Sequence, residues 1–309
     1  MSMMLFIRYI LAILLLVALA APFTFLKPDS LDNETDTIII EEVTVDLSSG
    51  KPVTKITRIK QNKPKPAPKV VEKEVVFEEP LHQVKLPDFS AISDIPTKKR
   101  QFFSFIRPAV EAKNQQLREK RSKLEYWHEQ ISLGIGLTDE ENLELQAFVD
   151  AYRVDNGASS LQQIDDLLMR VDVIPTSLVL VQAANESAWG TSRFARVGLN
   201  FFGIWCYKRG CGMVPGGRDT GAKHEVAAFQ SIDSAISGYF NNINKHNAYH
   251  VFRTIRAELR AQDQPLDAEI LATGLLPYSQ RGAHYVLDIT DMLRHNKRYF
   301  VQKKPTQAL

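Results

Sequence analysis

Residues 175–190 read PTSLVLVQAANESAWG. Pro175 suits a first helical turn, where its missing N–H is not needed, and Gly190 suits the stop. Between them, Leu178, Val179, Leu180, Val181, Ala183 and Ala184 cover nearly every side of a helix with apolar groups. A helix that is apolar all round is stable only when other elements enclose it. The chain must therefore build a helical domain around this segment. Gln182, Asn185, Glu186 and Trp189 interrupt the apolar surface near its C-terminal end. Glu186 lies four residues after Gln182, so the two share a face.

Flanking segments supply the enclosure. Ile106, Val110, Leu117, Leu124 and Trp127 recur at helical spacing within a stretch rich in helix formers. Thr138 with Glu141 three residues on matches a capping box, and a third helix is expected over about 159–170. Ser231 is placed to cap a helix carrying Ile232, Ala235, Ile236, Phe240 and Ile243. Short and long helices are expected over 266–273, stopped by Gly274, and over 283–299, with a frayed tail from Gln302. Residues 206–229, CYKRGCGMVPGGRDTGAKHEVAAF, read as a hairpin. The fold class is thus α+β, mainly α-helical, with a small β-hairpin.

The first third of the chain has a different character. Residues 10–21 are an unbroken apolar run, ILAILLLVALAA, behind Arg8. It is short for a membrane span, which takes about 20 apolar residues, and Ala18-Leu19-Ala20 is a small-x-small cleavage pattern. Residues 1–26 are therefore read as a signal peptide or an inner-membrane anchor. Residues 27–96 hold eight of the fifteen prolines and one of the fifteen glycines. They are read as an extended Pro/Lys-rich linker, with short strands conceivable at Val43–Val45 and Val70–Phe77. Residues 97–158 form a helical segment laid on the domain of residues 159–309. Export permits a disulfide, and the five-residue spacing of Cys206 and Cys211 suits a bridge at one end of the hairpin. A net charge of +2 gives no footing for a nucleic-acid binder. His246 and His250 have i, i+4 spacing without an evident third ligand, so no metal and no cofactor are expected.

Chemistry concentrates at Glu186. Apolar neighbours strip water from its carboxyl and the negative end of the helix dipole is near, and both raise its pKa. A carboxylic acid that keeps its proton near neutral pH can protonate a glycosidic oxygen. The same residue could equally be a buried scaffold carboxylate paired with Arg193 or Arg196.

QAANESAWGTSRFA followed by NFFGI resembles the glucosaminidase family of peptidoglycan hydrolases, glycoside hydrolase family 73. The matching residues are Gln182, Ala183, Glu186, Ser187, Trp189, Gly190, Ser192, Asn200, Phe202 and Gly203. The later GLLPYSQRGAHYVLDITDML resembles that family's closing element, and the whole arrangement is similar to bacterial proteins of the Bax type. The resemblance covers about residues 160–302 and implies a lysozyme-like fold. It further implies an endo-beta-N-acetylglucosaminidase that cleaves the bond after N-acetylglucosamine, acting on peptidoglycan glycan strands in the periplasm as a monomer. Glu186 becomes the general acid. A second carboxylate on the hairpin is implied, with Asp219 and Glu225 as candidates. Gln182, Trp189, Asn200, Phe202, Trp205, Tyr278 and Tyr285 become substrate-binding positions, although Trp189 and Tyr285 also suit packing. Two rival readings are a lytic transglycosylase or muramidase-type cleavage with a single Glu, and a non-catalytic peptidoglycan-binding or scaffold protein.

Overall fold

The computed structural model describes Ile38–Val45, Pro52–Ile59 and residues 78–300 apart from 217–220 and 222. The expected leader, most of the linker, the strand at Val70–Phe77, the frayed tail and Asp219 lie outside the described residues. The chain divides into two compact units, residues 1–75 and 76–309. In the first, β1 (Ile38–Val45) and β2 (Pro52–Ile59) pair antiparallel, with Ile38 opposite Ile59 and Val45 opposite Pro52. Both segments are rich in Ile, Val and Thr, which suit a pleated strand. The strand expected at Val43–Val45 is the end of a longer one.

The second unit is mainly helical. Its first helix, α1 (Ile95–Ser132), has 38 residues and starts at Asp94, whose side chain accepts from Thr97 N at 2.8 Å. Pro108 lies inside it without ending it. The capping box at Thr138 forms as expected and opens α2 (Asp139–Tyr152). A second box, Ser159 with Gln162, opens α3 (Ser160–Arg170).

The apolar helix is α4 (Thr176–Glu186), and every residue from Leu178 to Ala184 is buried. α1 and α9 (Ala283–Asn296) both pack on it. α1 also packs on α3 and on α6 (Ile232–Lys245). Leu271 and Ala272 of α8 (Ala268–Ala272) are buried, and α8 packs against α4.

Packing begins before α1. Phe89 is buried against Phe102 and Phe105, and Leu81 N donates to Val197 O at 2.8 Å. His82 Nε2 meets Arg196 O at 3.0 Å, and Arg193 pairs with Glu78. Residues 78–94, read from sequence as linker, therefore form an arm against the short α5 (Arg193–Gly198).

An ion network centred on buried Asp172 ties α1, the α3–α4 connection and the helix over His250–Ala261 together. Asp172, on the α3–α4 connection, accepts from Arg260 of α7 (His250–Ala261) at 2.8 and 3.1 Å. Arg121 of α1 lies at 3.4 Å and Arg256 at 3.7 Å. Arg256, 1% exposed, also donates to Asn244 Oδ1 and to four carbonyls around residues 169–173. Burial alone would raise the Asp172 pKa, but the arginines hold it below the ordinary carboxyl range.

The hairpin is a three-stranded antiparallel sheet, ordered β3 (Trp205–Cys206), β5 (Glu225–Ala227), β4 (Gly212–Met213). Gly274, expected as a stop, instead lies inside a 3-10 turn over Thr273–Tyr278. A β-carbon there would come within 2.4 Å of the Phe252 backbone, so its glycine permits close approach of α7. The last helix ends at Asn296 and continues as a 3-10 turn to Tyr299.

Candidate active site

Glu186 is the last residue of α4. The helix stops four residues before Gly190, earlier than the sequence suggests, because Ala188, Trp189 and Gly190 all take left-handed φ values of 49°, 60° and 79°. Ser187 Oγ donates to Ala183 O at 2.6 Å and accepts from Gly190 N at 2.8 Å. A β-carbon at residue 190 would lie 2.5 Å from the Phe89 ring, which leaves room only for glycine. The Trp189 ring sits on Phe102 and Phe103 at 5.8 and 5.2 Å, with Lys99 Nζ 5.1 Å from its centre. Trp189 thus fastens the helix end to α1. This tight reversal leaves the Glu186 carboxyl at a fixed helix terminus.

The carboxyl is half-buried, and burial raises its pKa above the ordinary carboxyl range. Asn185 Nδ2 donates to Oε1 at 3.1 Å, the Tyr285 hydroxyl bonds to the carboxyl, and the Arg281 charge acts on it. These three offset part of the rise. Arg193 is paired with Glu78, and Arg196 donates to Thr191 O. The scaffold pairing considered for Glu186 is therefore not made by either. On the open side stands Gly203, exposed and at φ 65°, where a β-carbon would lie 3.9 Å from Oε2.

Four phenols, Tyr239, Tyr249, Tyr278 and Tyr285, lie within reach of the Glu186 charge. Gln182, fully buried, donates from Nε2 to Tyr285 Oη at 2.8 Å and accepts from the Tyr239 hydroxyl. Tyr285 stacks on Tyr278 with centroids 5.4 Å apart and planes 7° off parallel. The Tyr278 hydroxyl donates to Phe202 O at 2.8 Å, and Tyr239 stacks on the Phe202 ring at 4.3 Å. Tyr249 lies 6.0 Å from Tyr278. Burial raises the pKa of all four phenols, and the Glu186 charge raises them further. They remain neutral and act through hydrogen bonds and ring faces.

The residues singled out from sequence thus divide. Tyr285 meets Glu186, while Gln182 and Tyr278 act on Tyr285 by a hydrogen bond and a ring stack. Asn200 is buried, with its amide donating to Ile204 O and Ala227 O and its carbonyl accepting from Phe202 N and Ile204 N. It shapes the 200–204 turn rather than facing outward, and the buried Phe202 ring supports Tyr239. Trp205 is 48% exposed with its ring edge on His224 at 4.3 Å. Glu225, considered as the second carboxylate, is 5% exposed. Its oxygens accept from Gly210 N at 3.0 Å and Gly212 N at 2.9 Å. Those bonds hold the hairpin together, so Glu225 is not presented to a substrate. Cys206 and Cys211 are disulfide-bonded with Cα atoms 6.3 Å apart. Their sulfurs and the Glu225 carboxylate are close enough to hold an ion, but the sulfurs are committed to each other.

Tyr239, Tyr249 and Arg281 were not anticipated. Tyr239 sits within the apolar stripe of α6, where a polar-tipped ring among Ile236, Phe240 and Ile243 was the available signal. A cavity of about 430 Å³ lined by Pro175, Leu266, Leu293, Arg294 and Phe300 lies at the opposite end of α4 from Glu186.

A family model described as Glucosaminidase: Mannosyl-glycoprotein endo-beta-N-acetylglucosaminidase matches residues 161–298. A protein named Protein bax, from Escherichia coli (strain K12), is 32% identical over 214 residues, which cover 69% of this chain and 75% of that relative. No solved structure matches the chain.

Proposed function

The chain belongs to the glucosaminidase family, and from that premise we propose that it is a peptidoglycan hydrolase of the cell envelope that cleaves the glycosidic bond after N-acetylglucosamine. Glu186 is the general acid. The observation that carries this reading is a half-buried carboxyl with a raised pKa, held at a helix end by Asn185 and Tyr285 and open past Gly203. Such a group keeps its proton until the leaving oxygen takes it. Tyr285 fixes the carboxyl while its own orientation is set by Gln182 and the Tyr278 stack. The exposed part of half-buried Tyr278 lines the sugar site.

A glycosidase needs a second carboxylate unless the substrate's acetamido oxygen assists. With Glu225 engaged by the Gly210 and Gly212 amides, that role falls to Asp219 or to the acetamido group itself. The apolar run at residues 10–21 delivers the chain to the envelope. Digestion of purified cell wall followed by mass spectrometry of the new chain ends tests the assignment. A reducing N-acetylglucosamine end is expected from the wild type and none from Glu186→Gln. An anhydro end would replace this reading with transglycosylation, and full release by Glu186→Gln would remove Glu186 from the chemistry.

A further inference from the structure

The loop between the cysteines is short, exposed and fixed from both sides. The disulfide closes it covalently. From beneath, the buried Glu225 carboxylate accepts from Gly210 N and Gly212 N, and Cys211 N donates to Lys208 O at 3.1 Å. Outward, this frame presents Tyr207, 79% exposed, together with exposed Lys208 and Arg209. Trp205 stands two residues earlier and Lys223 is exposed on the returning chain. A tyrosine so open adds little to the core, and a loop that had only to turn would not need two constraints. Fixing a loop in advance lowers the entropic cost of binding.

The loop begins three residues after Gly203, which lies beside Glu186. The Gly203 β-position is 3.9 Å from Oε2. Two to four further residues reach at most about 7–14 Å along the chain. Trp205 and Tyr207 therefore lie within that reach of Gly203, two and four residues along the chain. Aromatic rings stack on sugar faces, and Lys and Arg pair with carboxylates.

We propose that the 206–211 loop is a specificity element that selects glycan bearing peptide branches. Trp205 and Tyr207 hold sugars beyond the cleaved bond, and Lys208 and Arg209 meet the carboxylates of the peptides those sugars carry. This rests on the hydrolase reading above and narrows its substrate to peptide-substituted strands.

The test uses soluble, uncrosslinked glycan chains with their peptides and the same chains after enzymatic removal of the peptides. Binding is measured by calorimetry on Glu186→Gln protein and turnover on otherwise wild-type protein, each with and without Lys208→Ala plus Arg209→Ala. Wild-type kcat/KM is expected to favour the peptide-bearing chains. The double variant is expected to lose about fivefold on those chains through KM, with kcat and the denuded chains unaffected, and added salt should shrink the difference. Tyr207→Ala is expected to weaken binding of both chains. Equal binding of both chains by protein with the native loop, or an unchanged preference in the double variant, would overturn the loop assignment. Peptide-dependent binding without any turnover would leave the loop assignment standing and sink the catalytic one.

Discussion

Replacing Tyr285 by Phe removes one oxygen and leaves the ring that stacks on Tyr278 at 5.4 Å. That oxygen has two partners. Gln182 Nε2 donates to it at 2.8 Å from a fully buried position, and the hydroxyl bonds to the Glu186 carboxyl. Without it, the Gln182 amide is left unsatisfied at a cost of about 1–3 kcal/mol. In urea, with a slope of about 2 kcal/mol/M, the midpoint should fall by about 0.5–1.5 M. The bond from Tyr285 also lowers the Glu186 pKa, against the larger upward push of burial. Removing it raises that pKa further. A general acid works while protonated, so the alkaline limb of the kcat/KM profile should move to higher pH. The two readouts are independent. An unchanged urea midpoint would refute the account of Gln182, and a limb displaced toward acid would refute the account of Glu186.

Glu186→Gln should also change stability. Burial holds the folded pKa above the unfolded one, so this group's contribution is whole below the unfolded value and lost as pH rises through the folded value. The variant should show a flatter pH dependence in thermal melts and greater stability than wild type at neutral pH; a lower melting temperature there would contradict this. Asp172→Ala leaves Arg256 buried without its carboxylate and should cost about 3–5 kcal/mol in urea titrations, with a loss below 1 kcal/mol arguing that the network is not coupled. Because the Asp172 pKa is depressed, wild-type stability from this site should be present above the unfolded value and vanish as pH falls through the folded one. Opening the six-residue ring with Cys206→Ser and Cys211→Ser should cost about 2 kcal/mol, read by denaturation with and without reductant. Gly203→Ala places a methyl 3.9 Å from Glu186 Oε2 at φ 65°. The backbone cost is about 1–2 kcal/mol, and wall digestion should fall far more than stability does. Equal proportional losses would mean that the open side lies elsewhere.

The helical frame was legible because its signals are local. An apolar segment around residues 178–184 had to be enclosed, and the Thr138 and Ser159 caps mark helix starts through contacts three residues apart. What sequence missed depends on distant partners. Asp172 meets Arg256 across 84 residues, and only folding makes that pair visible. Glycine is the usual left-handed stop, so the sequence points to Gly190 as the end of α4, whereas Ala188 and Trp189 are left-handed as well and the Trp189 ring packs on the distant Phe102 and Phe103. Glu225 lies on a strand of three residues, all buried, so alternation had no pattern from which to assign its face. Glu186 itself was readable from a carboxylate interrupting an apolar helix. Tyr239 was marked only by a polar tip within an apolar stripe, because its partner Gln182 lies 57 residues away.

The helix α1 runs for 38 residues, about 57 Å, and it precedes the span that matches the family. Phe102, Phe103, Ile106, Val110 and Leu117 form the wall against which α3, α4 and α6 are set. A protein trimmed to residues 161–298 would uncover that seam as a contiguous greasy strip, the kind of surface that draws molecules into aggregates. The smallest autonomous unit should therefore begin near Glu78, and relatives that lack a counterpart of α1 must close the same seam with another element or a second chain.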